Sequence, residues 1–83
     1  MEARVPRYFF NVHDGRSELD AEGTELTSYD AARLAAVQLA GELLRDEAHR
    51  RKLGDAWRLE VLNESGTNVC SVDVRVSPPV ADA

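Results

Sequence analysis

The sequence contains almost no cysteine: Cys70 is the one cysteine among 83 residues. An intramolecular disulfide is therefore excluded, whereas secreted domains of this size usually contain several. The chain also starts without the apolar segment that is typical of a secretory signal. We therefore expect a cytoplasmic protein in a reducing compartment.

Long hydrophobic runs are lacking as well. The longest mostly apolar stretch extends from Leu34 to Leu44 and is interrupted by Gln38 and Glu42. A membrane-spanning helix needs about 20 apolar residues, so we expect no membrane association. We expect a single domain over residues 6–77, with a disordered N-terminus (1–5) and a disordered tail (78–83).

Positive charge is scarce, and the formal net charge is −5. The segment from Asp14 to Asp30 contains six acidic residues and one base, Arg16, whereas the one compact basic cluster is residues 50–52. A nucleic-acid-binding face must neutralise phosphates, so we expect no direct nucleic-acid binding. The simplest explanation of the acidic segment is a solvated edge that prevents strand aggregation. The alternatives are a docking surface for a basic protein and mimicry of nucleic-acid charge.

Residues that commonly carry chemistry are few and show no recognised spacing. Two histidines and one cysteine give no zinc motif, and no serine stands in a nucleophile motif or beside an evident histidine partner. Cys70 alternates with valines and is expected in the core. A metal or acid–base site would have to combine His13, Asp14, Asp20 and Glu22. A turn beside an exposed strand end explains these residues more simply, so we expect no enzymatic activity and no cofactor.

Three of the five aromatic residues lie in one short segment near the start of the chain. Tyr8, Phe10 and Val12 share one face of a predicted strand, and Phe9 lies on the other. Asp14-Gly15 predicts a two-residue hairpin turn, followed by a return strand over 16–19 and a loop over 20–26.

A long helix is predicted from about Ser28 to about Arg51, with Thr27 as its N-cap, Ser28 as the alternative cap and Gly54 as its terminator. Its predicted buried stripe recurs every three or four residues. The stripe consists of Ala31, Leu34, Val37, Gly41, Leu44 and Ala48, widened by Ala36, Ala40 and Leu43.

Two further strands are predicted, from Trp57 to Val61 and from about Thr67 to Val76, joined by a turn over 63–66. The predicted fold is α+β with the order ββαββ: a four-stranded antiparallel sheet, strand order 2-1-3-4, with one long helix packed on one face.

Two surfaces are candidates for contact with a partner. On the sheet face opposite the helix, Phe9 would share an apolar patch with Leu62 and Val69. The helix is also longer than the strands, and its overhanging end would present Leu44, Ala48 and Leu53 to a second subunit.

Several short motifs occur in a characteristic order. They are Pro6 to Phe10 followed by Asp14-Gly15, an acidic loop with Asp20, Glu22-Gly23 and Glu25-Leu26, the helical segment Leu43 to Glu47, and the strand Trp57 to Val61. In this order they resemble the DUF6894 family of small bacterial domains of unknown function. The resemblance implies a bacterial, cytoplasmic protein and implies neither an activity nor catalytic residues.

The sequence as a whole predicts a non-enzymatic interaction module that acts through protein–protein contact and forms a homodimer. The alternative is an acidic inhibitor or antitoxin-like regulator that binds a basic partner protein through Asp20, Glu22 and Glu25. The hairpin, acidic loop and helix also resemble the N-terminal half of HicB-type antitoxins, by pattern alone. An enzyme that uses His13 is the third hypothesis.

Overall fold

A computed structural model describes residues 5–50 and 55–77 of the chain. Over these ranges it is an α+β protein with one helix and an antiparallel sheet, as predicted. The elements are β1 (Arg7–His13), β2 (Ser17–Glu18), β3 (Thr24–Glu25), α1 (Tyr29–Arg50), β4 (Ala56–Leu62) and β5 (Asn68–Arg75). The two predicted disordered segments, apart from Val5, lie outside the described residues, as do Leu53 and the predicted helix terminator Gly54.

The sheet has the order β2-β1-β4-β5, and all its neighbours are antiparallel. This is the predicted strand order, because each hairpin stays together and the aromatic strand β1 pairs with β4 over Phe9–His13. The short strand β3 was expected to be loop. Its residues Thr24 and Glu25 pair with Tyr8 and Arg7, so β2 and β3 pair with opposite ends of β1.

The core lies between α1 and the sheet and is alanine-rich on the helix side. Its buried apolar members are Tyr8, Ala32, Ala36, Ala40, Trp57, Leu59 and Val61. Phe10 and Val12 pack against this cluster, which confirms the predicted parity of β1. Because alanine has no side chain beyond Cβ, the helix can lie close to the large rings of the sheet.

The predicted buried stripe of the helix included two residues that are exposed. Leu34 is 59% exposed and Val37 is 53% exposed, whereas Ala32, which the prediction omitted, is fully buried. Two apolar stripes share this helix, and both recur at intervals of three or four residues. The alanine stripe faces the sheet because small side chains accommodate Tyr8 and Trp57.

The helix begins with the alternative cap. Ser28 Oγ accepts a hydrogen bond from the Ala31 N–H at 3.1 Å, as an N-cap side chain does. Asp30 lies in the first turn, where a negative charge suits the helix dipole. Thr27 therefore precedes the cap.

The first hairpin is less tight than predicted. His13 pairs with Ser17, so three residues, Asp14 to Arg16, connect the strands instead of two. The second hairpin has the predicted turn over 63–66. Gly66 adopts a φ of +81°, and its N–H donates to the Asn63 carbonyl at 3.0 Å.

Candidate interaction surfaces

Phe9 lies on the sheet face opposite the helix, as predicted, but the loop between β2 and β3 covers part of it. Gly23, in that loop, has a φ of +74°, and a Cβ added to it would lie 2.9 Å from the Phe9 ring and 2.8 Å from Arg7 Cγ. The Gly23 backbone therefore packs directly on Phe9, which is half-buried. The chain itself supplies much of the cover that a partner was expected to provide.

Leu62 and Val69, the other two residues of the predicted apolar patch, lie on opposite faces of the sheet. Leu62 faces Phe9 across the β1–β4 pairing and is half-buried. A register shift between Val61 and Leu62 places Leu62 opposite Asn68, so Val69 is an extra residue on β5. Val69 packs against the helix-side core instead of beside Phe9. The expectation that it shares the Phe9 face was wrong, because a bulge reverses the alternation of side chains.

Asp20 organises the acidic loop from within. Its carboxylate accepts hydrogen bonds from the N–H groups of Gly23 (2.9 Å), Glu22 (3.1 Å) and Phe10 (3.2 Å). Burial acts to raise the pKa of Asp20, but these three bonds, with a smaller contribution from Arg7, hold that pKa below its ordinary value. The Asp20 carboxylate therefore binds β1 at Phe10, between the parts of the strand that pair with β2 and β3.

Asn11 is the one buried polar residue of the described chain, at 5% exposure. Its Oδ1 accepts a hydrogen bond from the Asp20 N–H at 2.8 Å. Two bonds thus fasten the loop to the outer face of the sheet: the Asp20 N–H donates to the Asn11 side chain, and the Phe10 N–H donates to the Asp20 side chain.

The other two acidic candidates surround Arg7. The Arg7 guanidinium donates to Glu25 Oε1 at 2.8 Å and to the Glu22 backbone carbonyl at 2.8 Å. Both members of the Arg7–Glu25 ion pair are substantially exposed, so the pair contributes little to stability. Of the three predicted acidic contacts, Asp20 and Glu25 are engaged within the chain, and Glu22 is exposed.

His13 belongs to a polar network on the outer face of the sheet. Its Nε2 lies 3.1 Å from Glu60 Oε1, and its Nδ1 lies 2.8 Å from Ser17 Oγ. Asn11 Nδ2 also donates to Glu60, at 3.4 Å. The bond from His13 lowers the pKa of Glu60, against an opposing effect of burial. No sequence motif indicated a histidine partner for Ser17, because these residues meet only when β1, β2 and β4 are side by side.

The chemistry that this network allows depends on which ring nitrogen of His13 carries the proton. If neutral His13 donates from Nε2 to Glu60, its Nδ1 accepts the Ser17 proton, which is the relation that a nucleophilic serine requires. Ser17, however, is exposed on a two-residue strand. Two cavities bordered by described residues lie elsewhere: one is lined by Glu42, Arg45 and Asp46, the other by Val12, Asp14, Leu43, Glu47 and Trp57. The network therefore links three strands and borders neither cavity.

Metal binding has no support among the described residues. No group of three or more histidine, cysteine or carboxylate side chains converges there. Cys70 is a half-buried free thiol that packs against the core cluster, in keeping with the core role predicted for it.

An exposed apolar face on α1 begins further toward the N-terminus than the overhanging end that the sequence interpretation offered to a second subunit. We call it the outer stripe; it consists of Leu34, Val37, Gly41 and Ala48, all of which are exposed. Leu44, which was predicted to face a second subunit, is half-buried and packs against the core cluster. The residues of the outer stripe are three, four and seven positions apart, so they lie on one face of the helix. The sequence contained this signal but also contained the alanine stripe, and only packing shows which stripe faces the sheet.

Comparison with known proteins gives a family and no activity. A model for a domain of unknown function, DUF6894, matches residues 7–75. The chain belongs to the DUF6894 family. The match includes every helix and strand described above, so the resemblance inferred from the short motifs is confirmed. No curated protein and no solved structure matches the chain.

The helix was also compared with the requirements of a membrane span. Among the described residues, no helix combines the length and the apolar character that crossing a bilayer requires.

Proposed function

We propose that this DUF6894 domain is a non-enzymatic, cytoplasmic protein–protein interaction module that associates with itself through the outer stripe of α1. The observation that carries the proposal is the exposure of Leu34 and Val37, at 59% and 53%, on one face of a regular helix. Burying the exposed part of two such side chains contributes about 1 kcal/mol each, and a two-fold dimer would bury four.

The position of the stripe supports contact with another protein. The buried helix residues Ala32, Ala36 and Ala40 lie on the side of α1 that packs on the sheet, and Leu43 and Leu44 continue this contact toward the C-terminal end. Leu34 and Val37 lie in the same stretch of helix but are exposed. The outer stripe is exposed because it faces away from the sheet, and it is therefore available to another protein.

The sheet face is a weaker candidate for the interaction. Phe9 is covered in part by Gly23, and Val69 packs toward the core. The remainder of that face carries cross-strand polar contacts such as Arg58 Nε to Asp73 Oδ1 at 2.6 Å. Its polar groups already bind one another, so a partner would have to displace these bonds.

A role as an acidic inhibitor finds less support than self-association. Such an inhibitor would present free carboxylates to a basic partner, yet Asp20 is bound to three backbone N–H groups and Glu25 to Arg7. Neutralising Asp20 is therefore expected to disturb the loop itself, whatever its effect on a partner.

The test is the molar mass of the protein in solution, measured by size-exclusion chromatography with light scattering across a range of concentrations. The unchanged protein should have the mass of a dimer, and Val37→Asp should have the mass of a monomer with an unchanged circular dichroism spectrum. The matched control is Leu19→Asp, which introduces the same charge at a side chain that is 70% exposed outside the helix and should remain dimeric. An unchanged protein that is monomeric at the highest concentration would refute self-association.

A further inference from the structure

The outer face of the sheet brings a serine, a histidine and a carboxylate into one hydrogen-bonded chain. Ser17 Oγ lies 2.8 Å from His13 Nδ1, and His13 Nε2 lies 3.1 Å from Glu60 Oε1. Because His13 pairs directly with Ser17 between β1 and β2, the register of the strands fixes the first contact. A hydroxyl that donates to a histidine, which in turn donates to a carboxylate, is the order of groups that activates a nucleophilic serine.

The carboxylate of Glu60 is held in place through both of its oxygens. Asn11 Nδ2 donates to Oε1 at 3.4 Å, and Asn68 Nδ2 donates to Oε2 at 3.5 Å. The bond from His13 lowers the pKa of Glu60, so Glu60 is ionised at neutral pH. An ionised and oriented carboxylate favours the tautomer that carries the His13 proton on Nε2, and the lone pair of Nδ1 then accepts the proton of Ser17.

The three side chains differ in their exposure in a way that suits a reactive hydroxyl. The side chains of His13 and Glu60 are 35% and 26% exposed, and partial burial strengthens the hydrogen bond between them. Ser17 is exposed, so a reagent in solution can reach its hydroxyl. Neither cavity described above includes Ser17. The arrangement therefore favours modification of Ser17 by an external donor over turnover of a substrate held by this chain.

The charge around Ser17 distinguishes between classes of donor. Ser17 lies in the segment from Asp14 to Asp30, which contains six acidic residues and one base. A phosphoryl group would add about two negative charges at this position, close to the ionised Glu60, and like charges in one site repel each other. An uncharged ester meets no such repulsion. The charge pattern therefore favours acylation of Ser17 over phosphorylation.

We infer that Ser17 is an acyl-acceptor site for uncharged activated esters, with His13 as the general base and Glu60 as the residue that positions His13. Ser17 Oγ forms a bond to the carbonyl carbon of the donor, and the bond from that carbon to the leaving oxygen breaks. His13 Nδ1 takes the Ser17 proton and transfers it to the leaving oxygen, so the products are an ester of Ser17 and an alcohol. This stoichiometric modification goes beyond the proposed self-association and does not depend on it.

Acetylation by p-nitrophenyl acetate, mapped by mass spectrometry of proteolytic peptides, tests the site. Ser71 is an internal control, because it is also exposed on this face and its hydroxyl donates to the Asn68 amide oxygen at 3.3 Å, which is not a base. Ser17 should be acetylated about 100-fold faster than Ser71, as general-base assistance provides. His13→Gln should remove most of this difference and leave the circular dichroism spectrum unchanged. Equal rates at the two serines, or an unchanged Ser17 rate in His13→Gln, would overturn the inference.

The histidine tautomer provides a second measurement, which needs no variant. Side-chain NMR of the unchanged protein at neutral pH should place the His13 proton on Nε2, and a proton on Nδ1 would overturn the inference. Glu60→Leu should shift the population toward the other tautomer and slow acetylation of Ser17 about tenfold. The matched control is Asp73→Leu, which removes an exposed carboxylate of the same face that binds Arg58 and should change neither quantity. Equal slowing by both variants would overturn the positioning role of Glu60.

Discussion

The buried amide of Asn11 accepts a hydrogen bond from the Asp20 N–H at 2.8 Å, and Asp20 in turn binds the N–H of Phe10, the neighbour of Asn11. The acidic loop is thus held against β1 by two residues that are nine positions apart. This relationship gives the acidic segment a structural role and leads to the first two predictions.

Replacing Asn11 by alanine should destabilise the fold by about 1–3 kcal/mol, because the Asp20 N–H would lose its acceptor in a part-buried position. Ser71→Ala, on the exposed part of the same sheet face, should cost about 0.5 kcal/mol or less. Urea denaturation of the two variants measures the difference. Similar losses from both would show that the bond to Asp20 is unimportant.

Stability should fall in acid partly through Asp20. Its pKa in the folded protein lies below the ordinary value, so its ionised form contributes stability that is present above about pH 4 and is lost as the pH falls through the folded pKa. Asp20→Asn should lower stability at pH 7 and make the decline below pH 5 shallower. Denaturation curves between pH 7 and pH 2.5 test this, and parallel profiles for the two proteins would contradict it.

Glu60→Gln should act in the same direction, because the bond from His13 lowers the pKa of Glu60 as well. Its contribution is likewise present above about pH 4 and lost in acid. A combined Asp20→Asn and Glu60→Gln variant should therefore lose the least stability of the series as the pH falls from 7 to 2.5. If its stability fell as steeply as that of the unchanged protein, other carboxylates would account for the acid sensitivity.

Gly23→Ala should be far more damaging than a glycine substitution elsewhere. The new Cβ would overlap the Phe9 ring and Arg7 in addition to straining a left-handed backbone, for a loss of about 2–4 kcal/mol. Gly66→Ala is the control, since it has a φ of +81° but open space around the added atom, and should cost about 1 kcal/mol. Equal losses would mean that the loop does not pack on Phe9.

Ser28→Ala should destabilise the protein by about 1 kcal/mol through loss of the bond to the Ala31 N–H. Thr27→Ala, one residue earlier, should have a smaller effect because Thr27 is not the cap. Thermal denaturation distinguishes the two, and a larger effect at Thr27 would reverse the assignment.

The strands were the most predictable part of this protein. Alternation of apolar and polar residues is a local property, so the sequence pattern alone assigns Tyr8 and Phe10 to the core face. The same reasoning failed at Val69, because a bulge depends on how β5 meets β4, and no residue of β5 alone specifies it.

The candidate site was less predictable for a related reason. Ser17, His13 and Glu60 are spread over the chain and come together only through strand pairing. The cover on Phe9 also depends on a loop whose sequence, rich in acidic residues, indicated a solvated surface instead of a packed one.

The sequence by itself determined the family, the α+β class, the aromatic core strand and the existence of a long helix with apolar residues at helical spacing. The tertiary structure decided which of two apolar stripes the helix turns toward the sheet. Both stripes satisfy the same periodicity, and the choice depends on close contact of Ala32 and Ala36 with a sheet that carries Tyr8 and Trp57. Packing against distant residues is not encoded in the spacing along one helix, and for that reason the outer stripe became visible only in the folded chain.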